Sequence, residues 1–198
     1  MSVETVTPNP DELAKSLGTA AKAGGKGPAP VHLWNPPFCG DLDIRIARNG
    51  QWFYLGSPIG RMPLVKLFAS VLRKDGDDYF LVTPVEKIGI KVDDAPFVAV
   101  DFTVSGAGST QNLTFITNVD DEAVAGPHHP IRVERDTETG EPSPYILIRR
   151  NLEALIDRKS YYRLVEAGTV EDRAGERMFG IRSGGEFFVF CPAAELEL

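Results

Sequence analysis

From Asp41 onward the chain is a succession of short segments in which apolar and polar residues alternate, each closed by Gly, Asn or Asp. Only twice in that stretch does the apolar spacing open out to that of a helix. Alternation with period two puts one face of a strand on a core and the other in water, so the pattern demands mainly antiparallel sheets with few helices. Leu42, Ile44 and Ile46 show it first. They are followed by Asn49-Gly50, a pair that supplies the positive φ values of a hairpin turn, and by the aromatic run Trp52-Phe53-Tyr54-Leu55. Leu64, Leu67, Phe68, Val71 and Leu72 then fall at helical spacing, with Pro63 suited to a first turn, and predict a helix. After Asp75-Gly76-Asp77, strands are expected over 79–83, 88–92, 97–104 and 111–118. Ile131-Arg132-Val133 and Tyr145-Ile146-Leu147-Ile148 read as further strands. A second helix is expected from about Asn151, and two last strands flank Gly184-Gly185.

The two halves of this series match. Ile44-Arg45-Ile46 recurs as Ile131-Arg132-Val133, 87 residues later, and Leu64, Leu67 and Phe68 recur as Leu152, Leu155 and Ile156, 88 residues later. The expected fold is α+β: two related strand-strand-helix-strand units with mainly antiparallel sheets and a cleft between similar halves. Residues 1–30 form a tail, a short helix and a linker, 31–120 the first unit and 121–198 the second. In the first of these segments Asn9 is suited to cap a helix, with Pro10, Asp11 and Glu12 in its first turn and Leu13 and Leu17 facing inward. The Gly- and Pro-rich stretch 24–30 ends it.

Apolar residues at 42% and charged residues at 25% describe a packed globular protein. A formal charge of −7 disfavours tight binding to long duplex nucleic acid, which needs a surplus of Lys and Arg. Cys39 and Cys191 lie far apart and in no C-x-x-C pair, so neither a disulfide framework nor a zinc site of the usual spacing is indicated. No basic and apolar leader and no membrane-spanning run is present, and a cytoplasmic location without membrane contact is expected. Asn112-Leu113-Thr114 has the glycosylation pattern, which has no chemistry without export.

Arg61 lies three residues before Leu64 and Arg149 three before Leu152, so both units are expected to place an arginine at a helix N-terminus, where free backbone N–H groups attract anions. With Arg150 and Lys66 nearby in sequence, these residues are candidates to hold a phosphate or carboxylate. The bland reading is a surface arginine or an ion pair with a carboxylate such as Glu153. Trp34 and Asn35 precede two prolines that fix an extended segment, offering an indole for stacking and an amide for hydrogen bonding; the bland reading is an aromatic anchor to the core. Glu86 is a polar candidate beside Thr83-Pro84 and Lys87, while Asp93 and Asp94 read as turn residues. Cys39 would need His32, His128 or His129 beside it to act as a nucleophile, and the flanks of thiol enzymes are missing. Neither Ser105-Gly106-Ala107-Gly108-Ser109 nor Gly24-Gly25-Lys26 has the surroundings of a phosphate loop. No catalytic residue, metal site or cofactor is expected.

The runs Trp34-Asn35-Pro36-Pro37-Phe38-Cys39-Gly40, Trp52 to Ile59, Leu64 to Phe68 and Thr83 to Lys87 together resemble an uncharacterised bacterial family known as a domain of unknown function. The match runs from about Val31 to the C-terminus. The resemblance implies duplicated α+β architecture, a C-terminal unit similar to pleckstrin-homology domains and a ligand site between the halves. It also implies a nucleotide-like ligand and a signalling or RNA-related role, with no catalytic residues to carry over. The expected function is therefore ligand binding or regulation, with Trp34, Asn35, Arg61, Glu86, Arg149 and Arg150 contacting an anionic, nucleotide-like ligand. The alternatives are a protein-interaction module without a small ligand, distinguished by a co-purifying protein, and a hydrolytic enzyme, which would need Glu86, Cys39 or the aspartates gathered in one pocket.

Overall fold

A computed structural model of the chain describes residues 17–19 and 27–196, and divides it into two compact units after Asp94. The first contains β1 (Phe38–Ile46), β2 (Trp52–Tyr54), β3 (Ser57–Pro58), α1 (Met62–Ser70), β4 (Leu72–Asp75), β5 (Asp78–Val82) and β6 (Lys87–Val92). These strands form one six-stranded sheet in the order β3-β2-β1-β6-β5-β4. Two meanders are thereby joined through a parallel pairing of β1 with β6, while every other neighbour pair is antiparallel. The Asn49-Gly50 turn joins β1 to β2 as the sequence predicts, with Ile46 opposite Trp52.

Alternation sorts this sheet into two faces. One carries Ile44, Ile46, Trp52, Leu72, Leu81 and Ile88, all buried. The ring contact of Trp52 with Phe68 at 6.0 Å seats α1 on that face. Within α1 the buried residues are Val65, Phe68 and Ala69, so the inward stripe is rotated by about one residue from the expected one, and Leu72 already belongs to β4. Leu17 is fully buried, as expected, while Asn9, Pro10, Asp11, Glu12 and Leu13 lie outside the described residues. Ala29 is buried and its N–H donates to the Ser70 carbonyl, so ordered packing begins slightly before Val31.

The second unit contains β7 (Phe97–Ser105), β8 (Asn112–Thr117), β9 (Glu122–Val124), β10 (Ile131–Arg135), β11 (Pro142–Arg149), β12 (Leu152–Ile156), α2 (Arg158–Glu166), β13 (Thr169–Arg173), β14 (Glu176–Ser183) and β15 (Glu186–Pro192). A six-stranded sheet has the order β10-β11-β12-β7-β8-β9, and β13-β14-β15 form a second sheet. The β14–β15 hairpin at Gly184-Gly185, expected from the sequence, is pinned by Ser183. The fully buried Ser183 Oγ accepts from the Leu113 N–H (2.8 Å) and donates to the Ala125 carbonyl (2.7 Å).

Three expectations change. Residues 152–156 are strand β12 and not a helix: Leu152, Ala154 and Ile156 are buried in alternation, and β12 pairs with β11 and, in parallel, with β7. The helix comes later, at α2, where the Asp157 carboxylate caps the Ser160 N–H at 2.8 Å. The expected unit boundary at 120/121 falls inside a sheet, because β7 and β8 precede it yet join β12 and β9, which follow it. The architecture is strand-rich, with most pairings antiparallel as expected and, among the described residues, only β1–β6 and β12–β7 parallel. The order of three strands, one helix and three strands occurs in both units, at β1 to β6 and at β10 to β15. The residue-by-residue match of the helices at 88 residues does not hold.

Candidate functional site

The other face of the first sheet, among the described residues, mixes charged groups with aromatic rings. Alternation puts Arg73 and Asp75 of β4, Asp78 and Phe80 of β5, Lys87, Gly89 and Lys91 of β6, and Arg45 of β1 on it. Phe80 and Asp41 lie opposite Gly89 from the two flanking strands, and Phe38 lies opposite Lys87. At the middle of this face position 89 contributes no side chain, and a groove of about 390 Å³ lies there. Phe38, Asp41, Asp78, Tyr79, Phe80 and Lys87 border it. A Cβ at position 89 would stand 2.0 Å from Asp41 Oδ1, so glycine is what lets the Asp41 carboxylate lie in the groove. The β1–β6 register slips on both sides of Asp41, and Gly40 has a φ of 99° that favours glycine, so a local irregularity of β1 aims this carboxylate.

The border at the Lys87 end is tied together. Arg73 Nη1 donates to the carbonyls of Val31 (3.0 Å) and Trp34 (2.7 Å), while its Nη2 meets Asp75 at 2.8 Å. Lys87 Nζ reaches the same Asp75 oxygen at 2.7 Å and stands 3.8 Å above the Phe80 ring. Phe80 meets Phe38 edge-on at 6.1 Å. Burial alone would raise the Asp75 carboxyl above its ordinary value, but hydrogen bonds from Lys87 and Arg73 overcome it and the result is lowered. The Lys87 N–H also donates to the Pro37 carbonyl at 3.1 Å, which fastens the Trp34-Asn35-Pro36-Pro37 segment to β6.

None of the six sequence candidates borders the groove, though Trp34, Asn35 and Glu86 lie in the two segments that adjoin this corner. Trp34 is half-buried, Asn35 is exposed, and Glu86 closes the β5–β6 turn, its carbonyl accepting from the Thr83 N–H at 2.9 Å. Arg61 is the exposed N-cap residue of α1, as expected. Arg149 and Arg150 lie elsewhere: Arg149 ends β11 and Arg150 sits in the turn to β12 with a φ of 53°. Neither is at a helix N-terminus, because residues 152–156 continue as a strand. The Arg149 guanidinium is buried against Phe97, 4.9 Å from its ring, and ion-paired with Asp121. Burial lowers Arg149 and raises Asp121, in each case against the pull of the partner. The ion-pair reading of Arg149 thus holds with Asp121 as partner, while Glu153 is taken by Arg132 at 2.6 Å. Asp93 pairs with Arg45 and Asp94 with Arg48. Both cysteines are free, Cys39 exposed and Cys191 buried. Among the described residues no group of His, Cys, Asp or Glu is placed to hold a metal ion. Among them, too, no helix is long and apolar enough to cross a membrane.

The groove residues Asp41, Asp78, Phe80 and Gly89 escaped sequence reasoning. The available signal was Gly89 itself: a lone glycine between Ile88 and Ile90, inside a strand, marks a close approach.

Two family profiles cover the chain. "Domain of unknown function (DUF1285), N-terminal domain" matches residues 29–95, and "Protein of unknown function (DUF1285), C-terminal domain" matches residues 96–190. The chain is also similar to a solved DUF1285 family protein from Silicibacter pomeroyi, at 57% identity and a TM-score of 0.83, over 92% of this chain and 98% of that one. The chain belongs to the DUF1285 family. The junction between the two DUF1285 profiles falls one residue after the division at Asp94. A DUF1285 family protein from Shewanella baltica is 32% identical over 62% of this chain and 90% of that one, with a TM-score of 0.49. No curated protein matches the chain.

Proposed function

We propose that this DUF1285 chain is a recognition protein, which acts by binding a ligand on the open face of its first sheet. One observation carries the reading: a groove of about 390 Å³ lies at the centre of that face, bordered by Phe38, Phe80, Asp41 and Lys87, where Gly89 leaves the room that the Asp41 carboxylate takes. A sheet face that served only to meet water would gain from filling position 89, since glycine inside a strand is the weakest choice for the strand. A regulatory role, and the signalling or RNA-related setting that the sequence resemblance implies, follow from binding and belong to this proposal.

The expected anionic ligand has weaker support. Arg61 at the α1 N-cap remains available to such a reading, but Arg149 is engaged with Asp121 and Arg150 is a turn residue. The pleckstrin-homology likeness expected of the second unit is not needed.

The test is amide chemical-shift mapping of the full chain against nucleotides, short peptides of differing charge and simple amines. Binding at the groove moves the amides of Phe38, Asp41, Phe80 and Gly89 together, and Phe38→Ala suppresses the shift. A ligand that moves only Arg61 and its neighbours places recognition at the α1 N-terminus instead. No response in either place from any compound overturns the proposal.

A further inference from the structure

We draw no further inference here: the strongest candidate, the patch of exposed apolar side chains Leu33, Phe38 and Val85 where the Trp34 segment and the β5–β6 turn adjoin the first sheet, has nothing in the structure to show what covers it.

Discussion

Arg149 and Asp121 show what a buried charge does when it is built for structure. Their side chains are 16% and 25% exposed, and burial shifts each toward its neutral form despite the partner. Because the Asp121 pKa is raised in the fold, its stabilising contribution is complete below the ordinary carboxylate value and is lost as the pH rises through the raised one. At neutral pH the pair therefore gives little net stability, while either member alone is a buried charge. Asp121→Leu or Arg149→Met should each cost about 3 kcal/mol, and the double variant should return to the parent stability or exceed it, as read by urea unfolding at neutral pH. Two single variants that are harmless would show the pair to be solvated. At this scale the sequence offered residue types without partners. An arginine three residues before a leucine looks the same whether it caps a helix or ends a strand, and only the fold brings Asp121 to it.

Elements were legible where two local signals agreed. Asn49-Gly50 between alternating runs, and Pro63 ahead of a helical stripe, each combine a turn or start residue with a period, and both were read correctly. Leu152 to Ile156 has only a period, and an ambiguous one: Leu152, Leu155 and Ile156 fit a helix, whereas Leu152, Ala154 and Ile156 fit a strand. A small alanine at the deciding position hid the second pattern, and the pairing of β12 with its neighbours settled the outcome. The Asp157 cap, five residues on, was the start signal that the period obscured. The same scale holds the fastening of the Trp34 segment through Arg73, Asp75 and Lys87. Asp75 is lowered in the fold, so the stability it contributes is present above its ordinary value and is lost as the pH falls through the lowered one. Below about pH 4 the amides of Trp34, Arg73 and Lys87 should shift together, ahead of global unfolding in a pH titration by NMR. Movement of Lys87 alone would show that Arg73 is held by the Val31 and Trp34 carbonyls without help from Asp75.

For the whole molecule, the expectation of two α+β units stands and their boundary moves. The sequence placed it after β8 because β7 and β8 follow β6 without a break in pattern. Nothing local reveals that β7 will pair with a strand that starts some fifty residues later, since long-range pairing leaves no mark on periodicity. Every strand of the first unit finds its neighbours before Asp94. A fragment ending at Asp94 should accordingly give a dispersed amide spectrum and a cooperative thermal transition, and a broad, featureless melt would show that it leans on the rest of the chain.

The parallel seam between β1 and β6 bears on how the protein is made. It joins the first strand of the first unit to the last, so Phe38 to Ile46 must wait for Lys87 to Val92 before the middle of the sheet exists. On a ribosome the hairpins on either side can form as they emerge, but the two remain separate until the final strand has left the exit tunnel. Until then the apolar face beneath α1 has only half a sheet to cover it. The interval from the completion of β1 to the emergence of β6 is thus one of exposed apolar surface, in which a chaperone has its best purchase on the nascent chain, and the groove at Gly89 is among the last features of the first unit to appear.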